Sequence, residues 1–170
     1  MPHFRVAESR AQHYSSVMSR AFIKESDESA QSLPERAISP HPNLVTADGL
    51  RKIEGQVREL ETAREAARQD PDTSVLARIE RDLRYWNQRR ATARVVAPPA
   101  TLDRVRFGVR VKLHLKDGRE FTFRLVGEDE ADPAAGLLSW VSPVADALMN
   151  QAVGDEVELM GQRAEIVALD

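Results

Sequence analysis

The segment RQDPDTS, residues 68–74, sets two carboxylates, Asp70 and Asp72, on either side of a proline. Carboxylate oxygens are the ligands a hard cation prefers, and Mg²⁺ commonly takes only one or two of them from a given partner. The same residues also have an ordinary structural use. Asp-Pro-Asp is turn chemistry, and Asp72 or Thr73 can accept the first free N–H groups of a following helix. A second concentration of chemical potential is cationic: Arg78, Arg81, Arg84, Arg89, Arg90 and Arg94 crowd one segment. Such a cluster is either a solvated helix face or a face that meets nucleic-acid phosphates. The four histidines, His3, His13, His41 and His114, have no ligand spacing, and the chain has no cysteine, so no zinc site is expected. EDEAD, residues 128–132, lacks the alternating ligands and glycine of a calcium loop and reads as a solvated turn. Neither a glycine-rich phosphate loop nor a nucleophile elbow occurs.

The elements that would carry these residues follow from periodicity. Thr46 is placed as a helix N-cap, and Leu50, Ile53, Val57, Leu60 and Ala67 follow at spacings of three and four, with Arg64 interrupting the seam. Beyond RQDPDTS a second stripe runs through Leu76, Ile79, Leu83 and Trp86, with Arg90 and Ala93 in the same heptad frame. Two helices of near-equal length joined by a short linker must be antiparallel neighbours. Residues 43–97 are therefore expected to form a helical hairpin with coiled-coil packing, its arms of about 24 residues reaching roughly 36 Å. Residues 1–42 show no sustained period and end in LPERAISPHPN, whose prolines remove donors and oppose helix. They read as an extended or disordered arm.

After VAPPATLD the period changes to two. Val109, Val111, Leu113 and Leu115 alternate with polar residues, KDG turns the chain, and Phe121, Phe123 and Leu125 line one face of the returning strand. A third strand is expected over 137–141. Ser142 then caps, and Pro143 opens, a short helix through Met149. Strands at 155–159 and 163–168 complete a compact domain over 102–170, a small antiparallel sheet folded around one helix. The fold class is α+β.

Composition fits a soluble chain of one ordinary or two small domains: 170 residues, 42% apolar, 30% charged, net charge −3. No run approaches the ~20 apolar residues of a membrane span, and the N-terminus lacks the apolar core of a secretory signal. With no cysteine, a reducing cytoplasm is the natural setting. Charge is uneven: residues 43–100 carry eleven positive and nine negative groups, and residues 101–170 carry eight and thirteen.

A helical hairpin followed by VRFG, VGEDEADPAAG, SPVADAL and VGDEVEL resembles the bacterial Gre transcript-cleavage factors, GreA and GreB, over residues 43–170. The resemblance implies an FKBP-like C-terminal domain that docks on RNA polymerase core at the rim of its secondary channel, while the hairpin enters the channel. It also implies a docking segment in which Ser139 and Pro143 match the family and Val141 stands where a polar or acidic residue is frequent. The family's hairpin is longer and its tip reads close to GDLxENAEY; here RQDPDTS takes that place. On this resemblance Asp70 and Asp72 would be the tip carboxylates that help hold a Mg²⁺ shared with the polymerase active site. The chain would touch the RNA and DNA of the elongation complex only indirectly, carry no intrinsic cofactor and be no enzyme itself. Two alternatives accompany this expectation: a Gre-like competitor that docks without stimulating cleavage, and a peptidyl-prolyl isomerase or chaperone built on the FKBP-like fold.

Overall fold

A computed structural model describes residues 33–69, 73–159 and 161–170. Residues 1–32, which are most of the expected arm, and the tip residues Asp70 and Asp72 lie outside the described residues. The chain is α+β, with a helical pair set against one end of a five-stranded sheet.

The first helix, α1 (Ala47–Ala67), starts where its cap requires. Thr46 is extended, and its hydroxyl accepts from the Gly49 amide at 2.9 Å. The second, α2 (Thr73–Thr92), returns to the same end: Asn43 Nδ2 donates to the Arg89 carbonyl at 2.7 Å and reaches the Thr92 hydroxyl at 3.3 Å. The two helices are therefore antiparallel. Two-residue strands β1 (Leu44–Val45) and β2 (Arg94–Val95) pair in parallel beneath them and tie the entering and leaving chain together. Ile53 and Val57 on α1 and Leu83 on α2 are buried along the seam. The arms are shorter than expected, 21 and 20 residues, or roughly 30 Å each at 1.5 Å per residue.

The sheet order is β5-β4-β3-β7-β6, from β3 (Arg110–Leu115), β4 (Glu120–Val126), β5 (Leu137–Ser139), β6 (Glu156–Leu159) and β7 (Gln162–Leu169). The alternation has its expected consequence: Val109, Val111, Leu113 and Leu115 are buried, as are Phe123 and Leu125. At the β3–β4 turn Gly118 adopts φ 87°, and its amide returns to the Leu115 carbonyl at 3.0 Å. The short helix α3 (Pro143–Leu148) packs Ala145 and Leu148 onto the sheet, and the core closes through Val105, Leu138, Val157, Leu159 and Ile166.

Two expectations for the sheet change. It is not wholly antiparallel, because β5 runs parallel to β4. A parallel neighbour needs a crossover in place of a tight turn, and residues 127–136 supply it through a single 3₁₀ turn, Pro133–Ala135. The third strand also ends at Ser139, not Val141. Trp140 still donates its amide to Val126, but Ser142 folds back onto the Ser139 carbonyl at 2.9 Å to begin α3.

Candidate functional site

β5 is an edge strand, so its outer side and the turn that follows are presented to the surroundings. Its register with β4 (Leu125 beside Leu138, Val126 beside Ser139) turns Leu138 into the core. Ser139 therefore points to the opposite face. The next residues make a compact corner. Ser142 accepts from the Ala145 amide at 3.2 Å, Pro143 occupies the first helical position and is exposed, and Val141 is half-buried. Two hydrogen-bonding groups of this corner, Ser139 Oγ and Trp140 Nε1, are shielded from solvent and have no partner among the described residues. Buried polar groups are nearly always paired, so two adjacent orphans beside an exposed proline are an unusual feature of this corner. The structure thus brings Ser139, Val141 and Pro143 together in one corner and adds Trp140 to them.

A second feature is where the helical pair meets the sheet. The β4–β5 crossover carries GEDE, residues 127–130, against the base of the hairpin. Gly127 is required by contact: a Cβ there would lie 2.6 Å from the Leu44 carbonyl oxygen. Glu130 is only 6% exposed, and the Thr46 hydroxyl sits 2.7–2.8 Å from its two oxygens, able to donate to either. That carboxylate lies at the N-terminus of α1, where the helix dipole favours negative charge. Gly49 makes room for it, since a Cβ at that position would be 2.5 Å from Glu130 Oε2. On the other helix Arg89 is 2% exposed; its Nε donates to Asp129 Oδ2, and its Nη2 lies 3.5 Å from Glu128. The Tyr85 hydroxyl donates to Asp129 at 2.7 Å. Burial, reinforced by that neighbouring carboxylate, pushes the Tyr85 phenol up to about 12.

This clamp corrects two expectations. EDEAD is not a solvated turn, because Glu130 and Asp129 anchor the hairpin. Nor is Arg89 part of a solvated or phosphate-facing surface: it is the buried cation of the clamp, whereas its neighbour Arg90, placed in the apolar heptad frame, is exposed. A periodicity argument ranks arginine as polar and misses one that burial pairs with acid from 40 residues away. The available signal was Gly49, a poor helix former in the first turn of a strongly patterned helix.

At the far end, α1 stops at Ala67 with Arg68 as C-cap, and α2 resumes at Thr73. Asp70 and Asp72, between them, lie outside the described residues. Among the described residues no group of three or more His, Cys, Asp or Glu side chains could hold a metal ion. No helix among them is long and apolar enough to cross a membrane. A cleft of about 220 Å³ between the β3–β4 turn and β6–β7 is lined by His114, Lys116, Glu156, Arg163 and Glu165 with Leu115 and Gly118. It offers mixed charge rather than an aromatic wall.

The family profile described as transcription elongation factor, GreA/GreB, C-term matches residues 99–168. Transcription elongation factor GreB of Neisseria meningitidis serogroup B is 43% identical over 83 residues, covering 48% of this chain and 51% of that protein. The chain's match thus spans about half the length of that relative. Transcription elongation factor GreA of Desulfovibrio desulfuricans is 32% identical over 133 residues, 77% of this chain and 78% of that protein. Among solved structures, a GreA/GreB elongation factor from Nitrosomonas europaea aligns over 74% of this chain and 97% of its own, at 23% identity and a TM-score of 0.38. The GreA factor homolog Gfh1 of Thermus thermophilus aligns over 76% and 99%, at 20% identity and a TM-score of 0.38.

Proposed function

The chain belongs to the GreA/GreB family of transcription elongation factors, and from that premise we propose that it binds RNA polymerase core at the secondary channel and promotes cleavage of backtracked transcripts. The sheet domain, residues 102–170, is the docking half and FKBP-like in plan. The helical pair, residues 43–97, is the coiled-coil probe. The observation that carries docking is the corner of Ser139, Trp140, Val141 and Pro143, where two shielded donors lack acceptors next to an exposed proline. The clamp of Arg89, Asp129, Thr46 and Glu130 supports the second half of the proposal, because a probe must keep a fixed direction relative to the surface that docks.

In this reading the chemistry belongs to the polymerase. Asp70 and Asp72 lend oxygen ligands to a Mg²⁺ of the polymerase active site, and the protein is not itself an enzyme. Contact with nascent RNA and with DNA is indirect, and the setting is cytoplasmic. One observation favours a second reading. Arms of 21 and 20 residues give a short probe; if it stops short of the active site, the protein docks without stimulating cleavage and competes with factors that do. Binding of the Ser139→Ala, Pro143→Ala double variant to core polymerase tests the docking corner. Affinity is expected to fall at least tenfold with the urea midpoint nearly unchanged, and unchanged affinity would show that the corner is not the docking surface.

A further inference from the structure

The ten residues before Asn43 belong to no helix or strand, yet they are fastened to both halves of the molecule. Glu35 accepts from Arg84 Nε at 2.9 Å and from Nη2 at 2.6 Å. The Arg36 guanidinium lies 3.8 Å from the centre of the Tyr85 ring and 5.5 Å from that of Trp86, with Asp82 at 3.8 Å. Further along, the His41 ring meets Trp140 edge-on, centroids 6.1 Å apart at 78°. Both tryptophans of the chain are therefore touched by this one segment.

We propose that residues 33–42 are a strap that closes in cis over the docking corner and competes with the polymerase for it. The inference rests on the docking role assigned above to Ser139–Pro143. His41 stands on Trp140, between Ser139 and Val141, so a macromolecule seated on that corner meets the strap first. The contacts are of a kind that opens without unfolding the rest. The Glu35–Arg84 pair is exposed on both sides, and such pairs are weak and screened by salt. The prolines at 34, 40 and 42 remove three backbone donors and so limit the backbone bonds the segment can make. Its charged groups are also committed in cis, Glu35 to Arg84 and Arg36 to Tyr85 and Asp82, which leaves them no part in contacting a partner while the strap is closed. Binding then requires the open form, and apparent affinity is reduced by the fraction of molecules that are open.

The test uses the full chain carrying Arg36→Ala and His41→Ala, with Trp86→Phe and Trp140→Phe backgrounds to separate the two fluorophores. Acrylamide quenching of each remaining tryptophan is expected to rise relative to the same background with an intact strap. In the chain with both tryptophans, core polymerase is expected to bind the double variant roughly 3- to 10-fold more tightly. Unchanged quenching would overturn the closed strap. Unchanged or weaker binding, while wild type still binds, would overturn the competition. Failure of both the wild type and the double variant to bind would instead overturn the docking assignment, and the competition with it.

Discussion

Arg89 is the buried cation that ties the second helix to the crossover, and its removal has a calculable cost. The side chain is 2% exposed and faces Asp129, 10% exposed, and Glu128, 22% exposed. Truncating one member of a buried ion pair leaves the other charge without compensation and costs about 3–5 kcal/mol. Two features place Arg89→Ala at the lower end: Glu128 reaches solvent, and Asp129 keeps the Tyr85 hydroxyl as donor. The expected loss is about 3 kcal/mol in urea unfolding. Arg89→Lys keeps the charge but not the planar fork that spans two carboxylates, so its loss should be smaller and still measurable. The double variant Arg89→Ala, Asp129→Ala should be more stable than the sum of the single losses predicts by about 1–3 kcal/mol, the coupling expected of groups in contact. A loss below about 1 kcal/mol, or strict additivity, would show that the pair does not hold the hairpin.

Three further outcomes follow from the same geometry. Tyr85 is held protonated to about pH 12, above the ordinary phenol value, so the stability it contributes is complete below pH 10 and is lost as pH rises through its folded value. Wild type should therefore lose stability between about pH 10 and 12 more steeply than Tyr85→Phe, and identical slopes in alkaline urea titrations would contradict this. Gly49→Ala would ordinarily favour a helix by about 1 kcal/mol. Here the added Cβ meets Glu130 Oε2 at 2.5 Å, so the variant should lose stability, and Gly49→Ala combined with Glu130→Ala should recover part of the loss. From the sequence alone, where Asp72 is expected to cap the second helix, Asp72→Ala should cost about 1 kcal/mol, whereas Asp70→Asn should leave the unfolding midpoint where it was.

Much of this architecture was legible from pattern alone. The helices, the Thr46 cap, the β3 and β4 alternation and the Ser142–Pro143 helix start are local facts, each set by neighbours within a few residues. What escaped was set by pairings distant in sequence. Arg89 meets Asp129 and Thr46 meets Glu130 only after the crossover folds across the hairpin base, so both groups read as ordinary surface charge beforehand. The parallel β5 escaped for the same reason, since an acidic ten-residue connection does not reveal which side of β4 the chain returns to. Of the arm, the prolines told against helix, and residues 33–42 belong to no helix or strand. That Arg36 would lie on Tyr85 depends on α2 presenting that ring. In the proposed docking corner, Ser139, Val141 and Pro143 were singled out by the family resemblance, but the lack of a partner for Ser139 and Trp140 appears only once the fold surrounds them.

The most direct test of the central claim is to add the wild-type protein and Asp70→Asn to a stalled, backtracked elongation complex and to follow the transcript. The account predicts that wild type shortens the RNA from its 3′ end, and that Asp70→Asn binds core polymerase equally well but leaves the RNA intact. RNA left intact by wild type, while it displaces an active cleavage factor from the same polymerase, would contradict the cleavage claim and establish the protein as a competitor.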